Sequence, residues 1–216
     1  MQITIREPGS AITHFIGMML AVFAAVPLLV KAFASSGLEN MLAMGIFMGS
    51  MVLLYGASAT YHSINIAGRG LRIFRKIDHM MIFVLIAGSY TPVCLIVLGG
   101  SQGYSLLAFV WGIALLGMLL KACFINCPKW VSSVIYIAMG WVCVFVFGQL
   151  IEALPPSGIA WLFMGGVIYT VGGIIYALKL PFFNSKHKFF GSHEIFHLFV
   201  MGGSICHFIF MYLYVA

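Results

Sequence analysis

Charge is scarce in this sequence. Only 7% of its 216 residues are Asp, Glu, Lys or Arg, whereas a soluble domain carries about 25%. Five acidic side chains and eleven basic ones cannot cover a water-facing surface, so neither a soluble enzyme domain nor a solvated binding module is expected. A cysteine framework is also missing. The five cysteines are Cys94, Cys123, Cys127, Cys143 and Cys206. Three fall within apolar runs, where a thiol packs as a small hydrophobe. Cys123 and Cys127 frame a basic loop expected on the cytoplasmic side, where thiols stay reduced, and a Cys-x-x-x-Cys pair alone is a weak metal signal. Internal repeats, low-complexity segments and long linkers are absent. So is a small-residue cleavage pattern after the first apolar run, which ends near Phe33; that run is expected to be a retained span rather than a removed signal peptide.

Hydrophobic residues are abundant, at 62% of the chain. A membrane span needs ~20 apolar residues, and seven can be placed, at 12–33, 41–65, 78–99, 104–124, 131–151, 159–179 and 194–215. Residues 1–216 then form a single all-α, seven-transmembrane helix bundle. Glu152 with Pro155-Pro156 marks the end of the fifth span, and Pro181 follows the sixth. Pro92 should kink or loosen the third. Gly165, Gly166, Gly172, Gly173, Gly202 and Gly203 let the last two spans approach closely.

Orientation follows from the basic residues, which are expected in loops. Arg6, Arg69, Arg72, Arg75, Lys76, Lys121, Lys129, Lys179, Lys186 and Lys188 fall on one side and only Lys31 on the other. By the positive-inside bias the N-terminus is cytoplasmic and the C-terminus outside. The net charge of +6 therefore sets topology and implies no nucleic-acid partner.

An ionisable group inside a span is costly and is a functional candidate by default. Ser58 and His62 end the second span, Asp78 and His79 open the third, and His193, Glu194 and His197 open the seventh. With alternating spans these positions share one depth at the cytoplasmic side. His193 and His197 are i and i+4, one helix face and about 6 Å apart along the axis, which is how a helix offers two imidazoles to one metal ion. His62 supplies a third nitrogen. Three histidines with one open position describe a catalytic zinc site, with Asp78 holding or deprotonating the water and Ser58 meeting the substrate carbonyl or a metal ligand. His14, His79 and His207 taken singly read as interfacial or packing residues, and His207, about 15 Å deeper than His197, is expected to make an interhelical hydrogen bond. A competing pattern is His193-Glu194-Ile195-Phe196-His197, H-E-x-x-H, in which Glu194 replaces Asp78 as general base.

The stretches Ser58-Ala-Thr-Tyr-His62, Lys76-Ile-Asp78-His79, Ala87-Gly-Ser-Tyr-Thr-Pro92 and His193-Glu-Ile-Phe-His197 resemble the bacterial hemolysin III branch of the progestin and adiponectin receptor superfamily, distantly related to alkaline ceramidases. The resemblance covers nearly the whole chain. Glu7 and Thr13-His14 are similar to the branch's opening motif, from which Pro8-Gly9 departs. The resemblance implies seven spans, a cytoplasmic N-terminus, a zinc ion held by His62, His193 and His197, and Asp78 and Ser58 close to it. Eukaryotic members are receptors, some with hydrolase activity on lipid amides, and one branch is named for lysis. The expected function is a zinc-dependent intramembrane hydrolase acting on a lipid amide or ester, in a bacterial inner membrane with membrane lipids as partners. A zinc-containing sensor of membrane lipid state and a lytic membrane protein are the alternatives.

Overall fold

The computed structural model describes residues 5–178 and 191–216. All regular structure among the described residues is helical, and seven helices are long and apolar enough to cross a bilayer. They are α1 (Pro8–Ser36), α2 (Leu38–Ser63), α3 (Gly68–Leu98), α4 (Gly100–Cys123), α5 (Lys129–Ala153), α6 (Pro156–Leu178) and α7 (Ser192–Val215). Their outward faces carry large apolar side chains, such as Phe23, Val26, Leu116 and Phe145. Such a surface is at home in hydrocarbon, where each helix satisfies its own backbone.

The helix ends follow local chemistry. Pro8 occupies the first turn of α1, where its missing N–H costs nothing. Gly37 alone separates α1 from α2; its φ of 76° is open to glycine without strain, and its N–H closes α1 on the Phe33 carbonyl at 2.9 Å. Pro156 opens α6 after the break expected at Pro155-Pro156. The sixth span's last residue, Lys179, and the following Pro181, Lys186 and Lys188 lie outside the described residues.

The helix carrying the third span is longer than its apolar run: the span is expected from residue 78, and α3 begins at Gly68. Arg69, Arg72, Arg75 and Lys76 are therefore helical rather than in a loop. Lys, Arg and Leu are strong helix formers, so the helix continues past the apolar stretch that defines the span. The Lys76 ammonium donates to the Ala122 carbonyl at the end of α4, where a cation also suits the helix dipole. Asp78 thus lies well inside α3. Pro92 acts as expected: the α-helix gives way to π-helical turns at Val93–Leu98 directly after it.

Packing runs α1 on α2, α2 on α3, α3 on α4, α5 on α6 and α6 on α7, with α1 closing against α7. One core joins α1, α2, α3 and α7 around Leu28, Phe47, Met48 and Phe210. A second joins α3, α4 and α5 around Phe83, Val110, Ala114 and Met139. Between α6 and α7 the glycines do allow close approach. A Cβ at Gly172 would sit 2.6 Å from that of Phe199, and one at Gly203 would sit 2.7 Å from the Tyr169 ring.

Helix α5 is interrupted by a 3-10 segment, Trp141–Val146. Inside a bilayer the freed backbone groups need partners from the protein. Tyr90 of α3 supplies them: its hydroxyl donates to the Gly140 carbonyl at 2.7 Å and accepts from the Cys143 N–H at 2.9 Å. Tyr90→Phe should lower stability by about 1–3 kcal/mol, read as a fall in melting temperature in detergent micelles. An unchanged melting curve would show that the break in α5 does not depend on Tyr90.

Candidate metal centre

The end of α2 and the start of α7 meet at one end of the bundle. His62 lies in the last turn of α2, and His193 and His197 lie in the first two turns of α7. Each of the three offers one ring nitrogen, and those nitrogens all lie within 4.8 Å of one another. His62 Nε2 and His193 Nε2 are 3.2 Å apart. With metal–nitrogen bonds of 2.0–2.1 Å, two nitrogens on one tetrahedral ion sit about 3.3 Å apart, so this pair already has the separation an ion would impose. The spacing expected of His193 and His197 and the distant His62 are thus brought together. His62 and His197 are almost fully buried. Three imidazole nitrogens form a donor set that fits a borderline-soft ion such as zinc.

Two of the other ring nitrogens, His62 Nδ1 and His197 Nδ1, are met from Glu7 and the first turns of α1. Glu7, which precedes α1, sets its carboxylate against His62 Nδ1 and donates its backbone N–H to the His62 carbonyl at 3.0 Å. Thr13 Oγ1 donates to the backbone carbonyls of Gly9 (2.9 Å) and Ser10 (3.0 Å). Its lone pairs face His197 Nδ1 at 3.3 Å. Both arrangements place a proton on Nδ1 and leave Nε2 to bind an ion. His14 is buried and stacks face to face on His197, with ring centroids 3.6 Å apart. It is not the interfacial residue its position near a span end suggested. Neither of its ring nitrogens has a hydrogen-bond partner among the described residues.

Glu7 lies outside the membrane-spanning helices. The hydrogen bond from His62 outweighs partial burial and, with the charges of His62 and Arg6, holds the Glu7 carboxyl at about 2, below its ordinary 4.5. It is ionised throughout the neutral range.

A cavity of about 140 Å³ opens beside the histidines. Ser58, Asp78, His14, His193 and His197 all line it. Ser58 Oγ is buried with no well-formed hydrogen bond among the described residues. Asp78 Oδ2 lies 3.2 Å from His79 Nδ1, which is also 2.9 Å from the Arg75 carbonyl. Tyr136 and Tyr176 complete the wall near the histidines. A second cavity of about 260 Å³ shares Ser89, Tyr90, Gly140, Trp141, Gly166 and His207 with the first. His207 makes no hydrogen bond by either nitrogen among the described residues; it packs on Gly165 and edge-on against Tyr169.

Glu194 is committed elsewhere. It accepts from Ser10 Oγ at 2.6 Å and from the Gly191 N–H at 2.8 Å, so it caps its own helix and ties it to α1. It does not line the cavity, whereas a general base must face the water it deprotonates. Ser10 was not singled out in the sequence. The available signal is its register with Glu7 and His14, at i, i+3 and i+7 on one face of a helix.

The model of the family described as Haemolysin-III related matches residues 2–208. The chain is 39% identical over 203 residues to the Hemolysin-3 homolog of Bacillus subtilis (strain 168), covering 93% of this chain and 91% of that protein. It is 37% identical over 211 residues to Hemolysin-3 of Bacillus cereus, covering 97% and 92%. More distantly, it is 24% identical over 226 residues to the Adiponectin receptor protein of Drosophila melanogaster, covering 94% of this chain and 49% of that one.

If Glu194 caps α7 and does no chemistry, Glu194→Ala should cost about 0.5–2 kcal/mol of stability while leaving the metal content equal to that of wild type. Thermal unfolding with parallel metal analysis of purified protein reads both. A lower metal content than wild type at unchanged stability would return Glu194 to the histidine site.

Proposed function

Because the chain belongs to the haemolysin-III-related family of integral membrane proteins, and three histidines would leave a tetrahedral ion one position for water or substrate, we propose that it is a zinc-dependent intramembrane hydrolase of a lipid amide or ester. The observation that carries this reading is the juxtaposition of the trio with Ser58 and Asp78 on one cavity. His62, His193 and His197 would hold the ion. Zinc there supplies Lewis acidity, polarising a carbonyl and making a water acidic enough to attack near neutral pH.

The remaining work falls to side chains of this chain. The Asp78 carboxylate takes the proton of the attacking water and returns it to the leaving amine or alcohol. His79 beside it limits the ways that carboxylate can turn. The Ser58 hydroxyl, lacking a good partner of its own, donates to the substrate carbonyl oxygen, where negative charge develops. The apolar walls of the two neighbouring cavities suit a lipid tail. The bias of basic residues supports a site at the cytoplasmic side, and the similarity to Bacillus proteins supports a bacterial inner membrane.

A regulatory reading in which zinc only pins helix ends calls for a closed, four-ligand site. Asp78 is the available fourth ligand, yet it is not in the group of donors that converge within 4.8 Å. An open position favours chemistry.

With purified protein and lipid amides or esters in mixed micelles, Asp78→Asn should keep its zinc and lose about 10²–10⁴-fold in kcat. His197→Ala should lose both zinc and turnover. Hydrolysis by Asp78→Asn at the wild-type rate would sink the mechanism.

A further inference from the structure

We propose that Glu7 is the positioning carboxylate of this metal centre: it holds His62 through Nδ1 and so fixes which face of that imidazole the ion meets. The inference rests on the metal-binding part of the reading above and not on hydrolysis.

Three features single out Glu7. First, it is clamped twice to the same residue, by its carboxylate to the His62 ring and by its backbone N–H to the His62 carbonyl. A side chain anchored this closely loses little further freedom in making its contact. Second, the carboxylate is itself oriented. Arg6 donates to its Oε2 at 3.2 Å while its guanidinium lies 4.2 Å from the centroid of the Tyr61 ring, and Tyr61 in turn packs edge-on against His62. A small cage of residues 6, 7, 61 and 62 thus forms around one ring. Third, Glu7 is the one acidic side chain with a direct contact to the trio among the described residues. His197 Nδ1 meets only the neutral Thr13 hydroxyl, and His193 Nδ1 has no hydrogen-bond partner among the described residues. Asp78 turns to His79, and Glu194 to Ser10 and Gly191.

A carboxylate behind a ligating imidazole fixes its tautomer and raises its basicity, and such partners contribute heavily to metal affinity. Here the carboxylate also lies at the N-terminal end of α1, where the helix dipole favours an anion. The buried trio is linked by Glu7 to the surface: the His62 side chain is 2% exposed and that of Glu7 45%. The first turns of α1 therefore act as the orienting frame of a site whose ligands come from α2 and α7.

The test is zinc affinity of the full-length protein in detergent micelles, measured by competition with a chromogenic chelator. It compares wild type, Glu7→Gln, Glu7→Asp and Glu39→Gln, the last in the opposite end of α2. Glu7→Gln should bind zinc about 10- to 100-fold more weakly, with the melting temperature of its zinc-free form unchanged. Glu7→Asp should recover part of the affinity, because a carboxylate returns on a shorter arm. Glu39→Gln should match wild type. Wild-type affinity in Glu7→Gln would overturn the proposal. So would a Glu7→Gln protein destabilised equally with and without zinc, since that marks a purely structural contact. A wild type that binds no zinc would sink the metal reading and this inference together. A wild type that binds zinc but hydrolyses nothing would sink only the hydrolase, leaving the Glu7 comparison to stand on its own.

Discussion

The structure depends on placing several imidazoles where water cannot reach them. Each buried ring brings polar nitrogens into an apolar bundle, and an unpaired one costs about 1–3 kcal/mol. The chain meets that cost by convergence. His62 and His193 face each other at 3.2 Å, His197 joins them from one helical turn further on, and α1 supplies oxygen atoms to the outer nitrogens. The remaining unsatisfied atoms are not scattered. Apart from Arg6 Nε, those among the described residues belong to His14, Ser58, His193 and His207, which line a single cavity. In a native protein such a concentration of unmet hydrogen-bonding capacity calls for a water, an ion or a functional role there.

Helix α1 carries more of the site than its composition suggests. It contributes no ligand to the converging trio. Yet Glu7, Ser10, Thr13 and His14 touch His62, Glu194 and His197 in turn. Two turns of one helix thereby lock the ends of α2 and α7 in register. Two further acidic residues near the histidines divide labour. Glu194 spends its charge on a helix end, while Asp78 lies along the cavity wall. An H-E-x-x-H sequence is therefore compatible with a glutamate that performs a structural task.

Much of this was legible in the sequence, for identifiable reasons. Long apolar runs announce the seven helices because hydrocarbon tolerates little else. His193 and His197 declared a shared face through four-residue spacing, and His62 joined them by depth once the spans alternated. The start of α3 was missed because hydropathy falls at Arg69–Lys76 although helix propensity does not. Ser10 was missed because its partner, Glu194, lies 184 residues away and no local pattern links them. The part played by Tyr90 was equally hidden, since nothing in its neighbourhood reveals that α5 breaks at Gly140 and needs a donor and an acceptor there. Burial of His14 was unreadable for a related reason: position along a span gives depth but not the direction a side chain faces.

The ligands of the trio are separated by 131 positions between His62 and His193. During synthesis, α2 enters the bilayer long before α7 exists. Until the last of the seven helices inserts, His62 has only Glu7 and its immediate neighbours, and no chelating pair is available to it. Were an ion held by the trio, its acquisition would be tied to the end of assembly. A fragment abandoned before α7 would then carry none.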